Sequence, residues 1–116
     1  LILNGDRAVC RKEHGVWKGF GLPWSGTSGE QINRSVPIKA LVILSRSKEN
    51  QASRIKGEKA LSASLSHMLC PAWNGRLVGK SLELLDDFLK EVPVIRLSCR
   101  PDADSVEVLA RALEEI

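Results

Sequence analysis

The chain has 116 residues, 43% of them hydrophobic and 27% charged, which suits one folded core and argues against wholesale disorder. Its formal charge of +3, from 17 basic and 14 acidic residues, is spread along the sequence rather than gathered in a run, so nucleic acid is not an expected partner. Cys10, Cys70 and Cys99 lie far apart in neither CxxC nor CxxH spacing. They read as apolar fillers in a reducing compartment, not as a disulfide framework or a zinc site. No apolar run has the length of a membrane span and no signal-peptide pattern is present, so a cytoplasmic location away from membranes is expected.

Leu1-Ile2-Leu3 reads as the end of a buried strand, as though the chain were entered in mid-fold. Asn4-Gly5-Asp6 is a turn. Residues 7–11 and 16–20 read as two strands of a hairpin around Glu13-His14-Gly15, with Gly15 free to take a positive φ. Residues 21–37 form a long loop rich in Gly, Pro, Ser and Thr. The run Ala40-Leu41-Val42-Ile43-Leu44 predicts a strand buried on both faces. Arg54-Ile55-Lys56 fits a short edge strand.

Residues 57–69 carry Ala60, Leu61, Leu65 and Met68 at helical spacing and end at Cys70-Pro71. A turn at Trp73-Asn74-Gly75 follows. A helix over 77–92 then shows a stripe of Leu82, Leu85, Leu89 and Val92. Residues 93–97 predict a strand. Asp102 or Asp104 caps a last helix, with Val106, Leu109, Ala110 and Leu113 inward. The pattern is that of an α/β domain, a mixed sheet with flanking helices, as a single domain over 1–116.

Candidate chemistry is sparse. Asp6, just past an apolar strand end, suits either turn chemistry or a Mg²⁺ ligand, since hard cations take oxygen donors. Ser25 and Gly26, in the run Gly21-Leu22-Pro23-Trp24-Ser25-Gly26-Thr27-Ser28-Gly29, offer a hydroxyl and a bare N–H to a phosphate, although the run lacks the GxxxxGK[ST] order. Trp24 reads as core beneath the loop. Arg34 is either a solvated side chain or a planar clamp for a phosphate or carboxylate. His14 and His67 have no partner spaced for metal binding or catalysis. Glu83, Asp86 and Asp87 read as a solvated helix face.

Taken in order, Leu3-Asn4-Gly5-Asp6-Arg7-Ala8-Val9, Gly21-Leu22-Pro23-Trp24-Ser25-Gly26 and Asn33-Arg34-Ser35-Val36-Pro37-Ile38-Lys39-Ala40 resemble the middle of HPr kinase/phosphorylase-like proteins of the PEP carboxykinase-like P-loop superfamily. The likeness continues through Glu49-Asn50 and Val92-Pro93-Val94-Ile95-Arg96-Leu97-Ser98-Cys99-Arg100-Pro101. The resemblance implies the C-terminal portion of an ATP-dependent phosphotransferase. Asp6 would match the second of a pair of acidic residues that holds Mg²⁺, and Gly5 stands where the first often lies. Arg34, Ser25 and Gly26 would border the nucleotide, and a protein or peptide would be the phosphate acceptor. The lysine-bearing phosphate loop precedes this region in the family, so the chain would not be active alone. The alternative is a non-catalytic peptide- or protein-binding module derived from the same fold.

Overall fold

The computed structural model describes residues 2–5, 7–23 and 27–116. The described residues are mixed α/β, with six strands and three helices in two compact units, Leu1–Lys39 and Ala40–Ile116.

The first unit is an antiparallel sheet in the order β1-β2-β3, with β1 Val9–Glu13, β2 Val16–Phe20 and β3 Ser35–Pro37. His14 and Gly15, with φ of 51° and 79°, close the hairpin between the paired residues Glu13 and Val16. Two positive φ values in a two-residue loop match the right-handed twist of the flanking strands, which is why Gly is useful at the second position. The buried side chain of β2 is Trp17. On the same face, Leu3 and Ile38 reach over Gly19, within 3.9 Å and 3.8 Å of where a Cβ would stand.

Two expectations fail in this unit. The described part of the Leu1–Leu3 stretch is not a strand, because its pairing reduces to an isolated antiparallel bridge between Asn4 and Gln31, and Ile2 is exposed; Leu1 lies outside the described residues. The predicted loop also ends early, since Ser35–Pro37 pairs with Phe20–Lys18 as β3. Pro37 lacks an N–H, so it suits this edge position and hides the strand from sequence reading.

The second unit is a mixed sheet in the order β4-β6-β5, formed by β4 Leu41–Arg46, β5 Gln51–Ile55 and β6 Val94–Cys99. β4 runs parallel to β6, and β5 antiparallel to it. The helices are α1 Gly57–Leu65, α2 Gly75–Glu91 and α3 Ala103–Glu114. Core residues are Val94, Ile95 and Leu97 of β6 with Ala60, Leu85, Phe88 and Val92. Ile95 is fully enclosed at 0% exposure.

The apolar run at 40–44 is therefore an edge strand rather than one buried on both faces: its Leu44 is 66% exposed. The chain passes from β4 through β5, α1 and α2 and inserts β6 between the two earlier strands. Centrality is a property of that path, which local composition does not record.

α1 ends at Leu65, before the predicted stop, with Ser66 at its C-cap. α2 begins earlier than its apolar stripe because Asn74 caps it, its Oδ1 accepting from the N–H of Arg76 (3.0 Å) and Leu77 (3.3 Å). In that helix Phe88 is buried while Leu82 is exposed. Asp102 caps α3. Val106 and Ala110, expected inward, face out, and Ser105 takes the buried position. Among the described residues, no helix is long and apolar enough to cross a membrane.

Candidate functional site

Asp6, Ser25 and Gly26, and Trp24 beside them, lie outside the described residues. Their chain neighbours are described, and they form a strapped junction within the first unit. The N–H of Ile32 donates to the Leu3 carbonyl at 2.9 Å, and that of Gly5 to the Glu30 carbonyl at 3.2 Å. These bonds lay residues 3–5 alongside residues 30–32.

Asn4 works on both sides of the junction. Its Oδ1 accepts from the N–H of Arg7, three residues on, at 3.1 Å, in keeping with the local side-chain-to-backbone bonding of Asn in turns. Its Nδ2 donates to the Leu22 carbonyl at 3.3 Å, which ties the start of the loop to the same point. The loop neck closes where the N–H of Gly21 donates to the Arg34 carbonyl at 3.0 Å. A side chain at Gly21 would run into the backbone of Ile32, so the approach requires glycine.

Arg34 thus has two separate parts. Its backbone fastens the neck, with its own N–H donating to Ile32 at 2.9 Å, while its side chain is exposed and enters no ion pair among the described residues. A guanidinium in that state is available to an incoming anion.

Gly5 is also closely packed, here against side chains rather than backbone. A Cβ there would collide with the Ser28 hydroxyl and come within 2.9 Å of Ser28 Cβ and 3.5 Å of a Glu30 carboxylate oxygen. Ser28 is itself held, accepting from the N–H of Glu30 at 3.3 Å. Gly29 takes φ of 72° to turn the loop between them. Ser28 and Glu30 were missed from sequence. Hydroxyls and carboxylates abound in polar loops, and nothing local marks these two as lying against Gly5.

The side-chain oxygens beside Gly5 are the hydroxyl of Ser28 and the carboxylate of Glu30, both hard oxygen ligands in type. Among the described residues, no group of three His, Cys, Asp or Glu side chains is placed to hold a metal. Mg²⁺ commonly uses one or two carboxylates and completes its shell with water and phosphate oxygens. Glu30 is the described carboxylate beside Gly5. No protein-family model, curated protein or solved structure matches the chain.

Proposed function

We propose that the chain contributes the Asn4-Gly5-Asp6 segment and the Gly/Ser loop of an ATP-dependent phosphotransferase of the HPr kinase-like type, within a PEP carboxykinase-like domain. The observation that carries this reading is the strap between Gly5 and Glu30, which lays the Asn4-Gly5 turn beside the loop residues Ser28 and Glu30. In this reading Asp6 and Glu30 hold Mg²⁺, Ser25 and Gly26 border the ATP phosphates, and the Arg34 guanidinium meets phosphate charge. Bound Mg²⁺ supplies charge neutralisation for the transferring phosphoryl group.

The chain contains no GxxxxGK[ST] motif, so phosphotransfer depends on a phosphate loop supplied from elsewhere. The acceptor is a protein or peptide, and the reaction belongs to the cytoplasm. Calorimetry with ATP and Mg²⁺ on the gene product that carries this chain tests the reading. Affinity for Mg·ATP falls at least about tenfold in Asp6→Ala, the loss of one charge-assisted contact. Unchanged affinity removes the metal role.

Gly5 favours a second reading, a non-catalytic module that binds a peptide or protein. The position where the resemblance places an activating carboxylate has no room for a side chain while Ser28 keeps its place. Peptide capture that persists without ATP and Mg²⁺, with no phosphoryl transfer, distinguishes this reading from the first.

A further inference from the structure

The second unit contains a cleft that the proposed phosphotransfer does not use. It opens where β5 ends and β6 begins, between the start of α1 and the end of α2, and measures about 390 Å³. That lies within the size range of small-molecule sites. Its apolar lining comes from Ile55, Ala60, Leu61, Leu89, Val92 and Val94, of which Ala60, Val92 and Val94 are buried in the core. All of these but Val92, the C-cap of α2, sit on strands or helices, so the apolar surface is preformed.

Charge is distributed unevenly around this lining. Arg54, Lys56 and Lys90 also line the cleft, against one carboxylate, Asp86. Asp86 is already engaged by Lys90 at 3.1 Å. Arg54 and Lys56 enter no ion pair among the described residues. Lys56 is also the N-cap of α1 and gives that helix no side-chain cap, while the acidic residue of its first turn, Glu58, does not line the cleft. An apolar pocket edged by two uncompensated cations is complementary to a molecule with an apolar body and one negative head.

We propose that this cleft binds a small amphipathic anion, its apolar body against Leu61, Leu89 and Val94 and its carboxylate or phosphate head toward Lys56. A cationic or neutral head of the same chain length gains nothing from Lys56 and Arg54.

A chemical-shift titration of the full chain tests this with octanoate and octyl phosphate as probes, and octanol and octylamine as controls. Both anions produce saturable shifts at Ile55, Leu61, Leu89 and Val94, and the stronger of the two identifies the head group. Octylamine produces none. Lys56→Glu weakens anion binding by at least about tenfold, the scale of reversing one nearby charge. Lys59→Glu, on the same helix outside this cleft, leaves binding unchanged. Equal binding of octanol and octanoate, an unaffected Lys56→Glu variant, or no saturable shift at these four residues overturns the proposal. None of these outcomes depends on whether Mg·ATP binds the first unit.

Discussion

The side-chain amide of Asn50 donates to the carboxylate of Asp102 at 2.9 Å and so ties the β4–β5 connection to the first turn of α3. The same Nδ2 donates to Asp104 at 2.8 Å, and Asn50 Oδ1 accepts from the N–H of Arg100 at 2.7 Å. Arg100 in turn pairs with Asp102 at 3.0 Å. One amide thus joins three residues that are 50 to 54 positions away in sequence. Asn50→Ala removes the three bonds of this amide at once and lowers the unfolding midpoint by about 4–8 °C. Lys90→Ala, which breaks an exposed pair on α2, shifts it by less than about 2 °C. Thermal melts followed by circular dichroism compare the two, and equal shifts would refute the network's role.

Asp102 makes this connection sensitive to acid. The N–H of Ser105 donates to its carboxylate at 3.0 Å, and this bond, with help from Asn50 and Arg100, holds its pKa below the usual carboxylate value. A carboxyl group whose pKa is lower folded than unfolded stabilises the fold fully above the unfolded value of about 4. That contribution fades as pH falls through the folded value. Urea midpoints measured from pH 7 downward stay level until the carboxylate range and then drop. Asp102→Asn starts lower at neutral pH and has a shallower acid limb. Parallel acid limbs for the two proteins would show that Asp102 does not couple to folding.

The central strand decides where substitutions hurt most. Ile95 on β6 is fully enclosed, while Leu44 on β4 stands at the sheet edge. Ile95→Ala costs about 2–5 kcal/mol, because the lost methyl groups leave a cavity that close neighbours cannot fill. Leu44→Ala costs less than about 1 kcal/mol, as its side chain is largely in water already. Urea unfolding of both variants checks the order. A larger loss at Leu44 would mean that β4 is covered in the folded protein.

That contrast also marks how far the sequence was legible. The hairpin at His14-Gly15, the strand Val16–Phe20 and the Asp102 cap follow from local chemistry, and each is found where turn and capping rules put it. The burial of β6 over β4 does not, because Ala40–Leu44 is more uniformly apolar than a strand interrupted by Arg96. Helix faces were off by one position in α3, where the small Ser105 turns its hydroxyl back onto the Asp102 carbonyl at 2.6 Å and so can be buried. At the candidate site, the turn at Asn4 was readable from residue type. Its contact with Ser28 and Glu30 was not, since it depends on backbone bonds between residues 3–5 and 30–32 that no local pattern announces.

The helix cap at Asn74 gives an independent check on local energetics. Its carboxamide accepts from the N–H groups of Arg76 and Leu77, which otherwise lack a partner within the helix. Asn74→Ala costs about 1 kcal/mol, whereas Asn74→Asp, which keeps the acceptor and adds a favourable charge at the helix start, restores most of it. Urea midpoints of the three proteins test this. Equal losses for Ala and Asp would show that the cap is not what stabilises α2.

Gly5 and Ser28 offer a test of the candidate site through packing rather than ligand binding. In Gly5→Ala the new methyl meets the Ser28 side chain, so the loop must shift or Ser28 must turn away. The obstructing group is a side chain and not the backbone, which keeps the cost at about 1–3 kcal/mol. Removing it as well, in the Gly5→Ala, Ser28→Gly double variant, gives the methyl its space and recovers part of that loss beyond what Ser28→Gly does alone. A double-mutant cycle by urea denaturation reads this as a coupling energy of about 0.5–3 kcal/mol. Additive effects would place Ser28 away from Gly5 in solution and remove the junction on which the phosphotransferase reading depends. At Gly21 the obstacle is the Ile32 backbone, so no side-chain deletion rescues Gly21→Ala, and that variant is the internal control for the cycle.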